Sequence, residues 1–99
     1  MVYHIVSWNF KPELTAEQRK AIGTEVVARL QDLNGKIPGL LEIQAYCPPL
    51  DSSSCDLVLY SRMEQPSDLD VYQNHPDHLA VAPLIKGNFC DRRCCDFVN

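Results

Sequence analysis

The sequence predicts an α+β fold in which one four-stranded antiparallel sheet carries helices on a single face, in the order β-α-β-β-α-β. Three observations point there. Four short stretches alternate apolar and polar residues with a period of two, two stretches between them repeat at helical spacing, and Pro, Gly or Asp/Ser clusters mark the boundaries. The 99 residues make one domain, residues 1–99, with no repeat, linker or low-complexity segment.

Residues 2–10, VYHIVSWNF, form the first strand, with Val2, His4, Val6, Trp8 and Phe10 on one face and Tyr3, Ile5, Ser7 and Asn9 on the other. Both faces are partly apolar, so the strand belongs inside the sheet. Lys11-Pro12 ends it. Thr15-Ala-Glu-Gln18 is a capping box, in which hydroxyl and amide side chains satisfy each other's backbone N–H groups at a helix start. Ile22, Val26, Leu30 and Leu33 then recur on one helix face, while Lys20, Glu25 and Arg29 face water.

Asn34-Gly35 supplies a left-handed stop and Pro38-Gly39 a turn, after which Leu41, Ile43, Ala45 and Cys47 give a second strand its inward face. Pro48-Pro49 and Asp51–Ser54 lead to a third strand over Cys55–Met63, with Leu57, Leu59, Ser61 and Met63 in register, and the two strands form a hairpin. Glu64–Asp68 opens a second helix that runs through Tyr72. Pro76 cannot continue it, because its ring fixes φ and removes the N–H, and His75 is pushed toward extended angles. A short helix starts at Pro76, and Pro83 kinks or ends it. The last strand, Phe89–Val98, sets Cys90, Arg92, Cys94 and Asp96 against Asp91, Arg93, Cys95 and Phe97.

This is the ferredoxin-like order. Helices on one side leave the other sheet face bare, and a bare face carrying Val6, Trp8, Leu57 and Leu59 is an apolar patch that a second copy of the chain would cover. A chain of this size buries only a little over roughly 60% of its unfolded surface, which also favours a partner.

Composition excludes several function classes. At 45% hydrophobic and 22% charged residues the chain is too apolar for disorder, and a net charge of −4 is wrong for a nucleic-acid surface. No run approaches the roughly 18 apolar residues of a membrane span, and MVYHIVSWNF is too short and polar for a signal peptide, so a cytoplasmic location is expected. The five cysteines are an odd number without a zinc-type Cys-x2-Cys pair, and are expected to be small buried thiols, neither disulfides nor metal ligands. His75 and His78, three residues apart, are separated by Pro76 and make a poor metal pair.

The stretches Val2-Tyr-His-Ile-Val6, Lys36-Ile-Pro-Gly-Leu40, Asp68-Leu-Asp-x-Tyr-x-x-His-Pro-x-His78 and Cys95-Asp-Phe97 together resemble the stress-responsive A/B barrel domain family of the dimeric α/β-barrel superfamily, over essentially the whole chain. The resemblance implies two ferredoxin-like protomers pairing as a dimeric α/β barrel, with a small organic molecule bound in the cavity and no cofactor. A plant branch of that family is similar to cofactor-free polyketide cyclases, which implies acid–base roles for Tyr72 and His78 and a pocket position for His4. Val6, Trp8, Ile22, Val26, Leu59 and Arg92 complete the expected ligand-contacting set. The departure from that branch lies in Ala21–Val26, which holds no aromatic residue where the cyclases line their cavity. The substrate therefore does not carry over.

Tyr72 and His78 suit proton transfer at a carbon beside a carbonyl, with an imidazole as base and a hydroxyl to hold the enolate oxygen. The structural reading of the same residues is that Tyr72 packs on the sheet, His75 caps the short helix and His78 bonds a carbonyl. His4, inward on an apolar strand face, needs a polar partner. Arg92, if buried, needs a carboxylate such as Asp96 or an anionic substrate. Two other functions fit the same fold: a cofactor-independent monooxygenase, and a non-enzymatic stress or assembly protein.

Overall fold

A computed structural model describes all residues, 1–99. In chain order it contains β1 (Val2–Phe10), α1 (Ala16–Gln31), β2 (Leu40–Tyr46), β3 (Leu57–Met63), α2 (Ser67–Asn74), α3 (Pro76–Leu79), α4 (Ala82–Asn88) and β4 (Phe89–Val98). The strands lie in the order β2-β3-β1-β4, and every neighbouring pair is antiparallel. This is the ferredoxin-like α+β arrangement, with the helices on one face. No helix is long and apolar enough to cross a membrane.

The capping box forms as read: the Gln18 N–H donates to the Thr15 hydroxyl, and the Thr15 N–H donates to the Gln18 side chain. Gly35 takes the left-handed conformation after α1, at φ 78°. Gly39, at φ 82°, also lies so close to the Asp68 carboxylate that a Cβ there would overlap it, which ties the start of β2 to the start of α2. The core sits between sheet and helices, where Val26 and Leu30 of α1, with Leu33 in the turn after it, meet Val6, Ile43, Leu57, Leu59 and Met63 of the sheet.

Several expectations are corrected. Val6, Trp8, Leu57 and Leu59 lie under the helices, each buried, and the bare face is the opposite one. Both faces of β1 are partly apolar, so alternation alone did not decide which one the helices take. The uncovered face carries Tyr3 stacked on Phe97, with ring centroids 5.3 Å apart, and Tyr60 beside Tyr3 at 6.1 Å.

Leu41 points to solvent because the β2–β3 register shifts between Leu40 and Glu42, so that Leu40, not Leu41, enters the core. Pro83 does not end a helix but sits in the first turn of α4, where its missing N–H has no partner to lose. The thiols are all free and none is fully buried: Cys94 and Cys95 are exposed on the edge strand β4, and Cys47, Cys55 and Cys90 are half-buried.

Candidate functional site

A cavity of about 300 Å³ opens between the β1–β4 side of the sheet and the α2–α4 segment. His4, Val6 and Trp8 of β1 and Leu59 of β3 form its floor, Leu30 of α1 joins them, and Tyr72, His78 and Arg92 line it with residues of α4. The alternation of β1 aims His4, Val6 and Trp8 to one side, so the strand pattern itself gathers three of the expected residues.

Ile22 and Val26 are corrected: neither lines this cavity. Val26 is fully buried in the core and Ile22 packs against that core. One turn further along the same stripe, Leu30 takes the place expected of them. Sequence reasoning also misses Phe89, Cys90 and Asp91 of β4, and Ala82, Ile85 and Lys86 of α4, a helix that reading Pro83 as a kink or stop hides. A Pro followed by helix formers is equally a start signal, and Pro83-Leu-Ile-Lys86 carries it.

His4 is almost wholly buried, and its Nδ1 donates to the Asp96 carboxylate directly opposite on β4. Asp96 therefore serves His4, and is not free for Arg92. Arg92 is exposed and enters no ion pair. Its side follows from plain alternation, since Asp96 lies opposite His4 and Cys94 opposite Val6, and beyond it the strand bulges. Ser7 pairs with Arg93 and Asn9 with Cys90, leaving Asp91 and Arg92 opposite Trp8 alone, with Asp91 at φ 55°. The extra residue lets Phe89 and Arg92 face the same side although an odd number of positions separates them. Phe89 is thereby buried, stacked on Phe10 at 4.7 Å.

The structural roles foreseen for the His-Pro-x-His stretch are present. His75 caps α3 by accepting from the Asp77 N–H at 3.1 Å. Tyr72 packs under the helices at 1% exposure, and His78 Nδ1 lies 3.2 Å from the Gln73 carbonyl. A carbonyl only accepts, so Nδ1 carries the proton, and in the neutral ring the lone pair belongs to Nε2. These contacts leave one group unexplained. The Tyr72 hydroxyl is buried without any hydrogen-bond partner, the sole such side-chain atom in the molecule. Buried polar groups rarely stay unpaired.

Tyr72 sits between the two histidines. Its ring lies edge-on to His4 with centroids 5.7 Å apart, and 4.4 Å from His78. Burial holds the Tyr72 hydroxyl well above its ordinary pKa, against a small opposing pull from Arg92, so it stays a neutral donor. Burial likewise holds His78 below the usual 6.5, with His4 and Arg92 adding to the effect and the Gln73 bond opposing it. A neutral base and a neutral donor thus share one wall.

Several solved structures share the fold. A Bacteroides fragilis protein described as dimeric, ferredoxin-like and of unknown function is 22% identical with a TM-score of 0.89, over 97% of this chain and 93% of that one. A Thermobifida fusca protein, described in similar terms, is 22% identical with a TM-score of 0.82, over 99% and 90%. A Nitrosomonas europaea protein named as a candidate antibiotic biosynthesis monooxygenase is 14% identical with a TM-score of 0.77, over 100% and 98%. No curated protein matches significantly. The family model described as the stress responsive A/B barrel domain matches residues 2–99, and the chain belongs to that family.

Proposed function

We propose that the protein works as a homodimer whose protomers each bind a small organic molecule in this cavity, where Tyr72 and His78 carry out cofactor-free proton transfer beside a carbonyl group. The observation that carries the reading is the buried, unpartnered Tyr72 hydroxyl next to an imidazole whose tautomer leaves Nε2 as an acceptor. In this chemistry Nε2 of His78 takes a proton from the carbon next to the carbonyl, and the Tyr72 O–H donates to the oxygen as enolate charge develops there. The lining from Val6, Trp8, Leu30 and Leu59 excludes water and receives an apolar body. The dimer is supported by the uncovered sheet face and by the dimeric description of the Bacteroides fragilis and Thermobifida fusca proteins.

An unbiased ligand screen by native mass spectrometry gives bound mass and stoichiometry together. Hydrogen–deuterium exchange at the activated carbon of the captured ligand, followed by NMR, then tests the chemistry. His78→Ala is expected to slow exchange by about 10²-fold or more and Tyr72→Phe by a smaller factor, both with ligand still bound. Full exchange in both variants defeats the catalytic assignment and leaves a binding protein.

A second reading rests on the neighbours named as antibiotic biosynthesis monooxygenases. In it the same base would deprotonate an electron-rich aromatic that then reacts with oxygen, and oxygen uptake with an anthrone separates the two.

A further inference from the structure

We infer that the ligand of this cavity is an organic acid, a largely apolar molecule whose carboxylate is held at the cavity mouth by Arg92 and Lys86. The inference rests on the reading of the cavity as a ligand site and adds the charge of what enters it.

The cavity lining reverses the sign of the whole chain. The protein carries a net charge of −4, yet Lys86 and Arg92 line the cavity against a single carboxylate, Asp91. That carboxylate is already engaged, accepting from the Asn9 amide at 3.2 Å and from the Cys90 thiol at 3.7 Å. Neither Lys86 nor Arg92 lies within ion-pair distance of any acidic side chain. Both are solvent-exposed while lining the cavity, which places them where it meets water.

Two different elements converge here. Lys86 stands in the last turn of α4, and the alternation of β4 that sets Asp96 opposite His4 and Cys94 opposite Val6 puts Arg92 on the same side as His4 and Trp8. A guanidinium there offers paired donors to a carboxylate, and the ammonium a second charge. The deeper wall offers a different contact, the free Tyr72 hydroxyl, nine-tenths or more buried. The cavity thus pairs cations at its entrance with an apolar body and an inner donor, which matches an acid with a carbonyl or hydroxyl group further along its skeleton.

The test uses 4-propylbenzoate and its neutral methyl-ketone isostere, 4-propylacetophenone, titrated by calorimetry and by the fluorescence of Trp8, the single tryptophan and a cavity residue. The acid is expected to bind about ten- to a hundredfold more tightly than the ketone, as for a charge-assisted bond, with the preference shrinking as salt is raised. Arg92→Gln and Lys86→Gln, checked for native circular dichroism, are expected to weaken binding of the acid about tenfold or more and so to remove the preference. Equal binding of the two probes, or a preference that survives both substitutions, overturns the inference while the cavity reading stands. Failure of both probes to bind or to alter Trp8 emission overturns the cavity reading and this inference together.

Discussion

At the scale of single residues, what separates His78 from His75 and His4 is which nitrogen is engaged and by what. His75 Nδ1 accepts from a backbone N–H, whereas the Nδ1 atoms of His4 and His78 donate to oxygen. Sequence spacing made the three conspicuous but could not assign those partners, because they depend on the β1–β4 register and on where α2 ends. His78 has a definite pH signature. Burial lowers its pKa below 6.5, so the ring is neutral at pH 7, and protonation below the lowered value removes the base. Folding stability moves in the same direction: below pH 6.5 the unfolded chain takes up the proton first, and stability falls until the folded-state value is passed. An NMR titration of the three imidazoles, with His78 identified by comparison with His78→Ala, should show its midpoint below 6.5. A midpoint at or above 6.5 contradicts the neutral-base role.

At the scale of elements, the strands and α1 were legible because local chemistry decides them, by alternation in β1 and β3 and by the capping box in α1. The bulges were not, since one extra residue leaves no mark on composition yet moves Leu41 out and Phe89 inward. β2 shows the same limit. It is an edge strand, and beyond its own register shift the Asn34 side chain acts as a substitute neighbour, donating to the Ile43 carbonyl at 2.8 Å and accepting from the Ile43 N–H at 3.0 Å. Locally, Asn34-Gly35 reads as a helix stop. Its second task follows from the return of the chain to that edge, which no local pattern encodes. Asn34→Ala should destabilise the fold by about 1–2 kcal/mol, with Asn34→Asp between it and the native chain because the carboxylate can still accept from Ile43. Urea unfolding with an unchanged m-value measures this, and a loss below about 0.5 kcal/mol would show that β2 does not depend on the pair.

For the whole molecule, the decisive dimension is thickness. The chain forms a slab with extents of 39 × 28 × 18 Å, enough for one sheet and one helix layer, so nothing in a single copy covers the second sheet face. The need for a partner was legible in the element order, but the identity of the face was not. The larger aliphatic set went under the helices, and an aromatic set of Tyr3, Tyr60 and Phe97 remained outside, with Phe97 still 44% exposed. Aromatic residues of this kind are enriched at protein interfaces, and a twin sheet would bury them symmetrically. Phe97→Glu puts a carboxylate against the Tyr3 ring and, in a two-fold pair, counts twice. The native chain should sediment at twice its monomer mass at micromolar concentration, and Phe97→Glu should sediment as a folded single chain. Leu50→Glu, in the loop after β2 at 81% exposure, should stay paired. A native protein that sediments as one chain, or two variants that dissociate alike, would remove this face from the assembly.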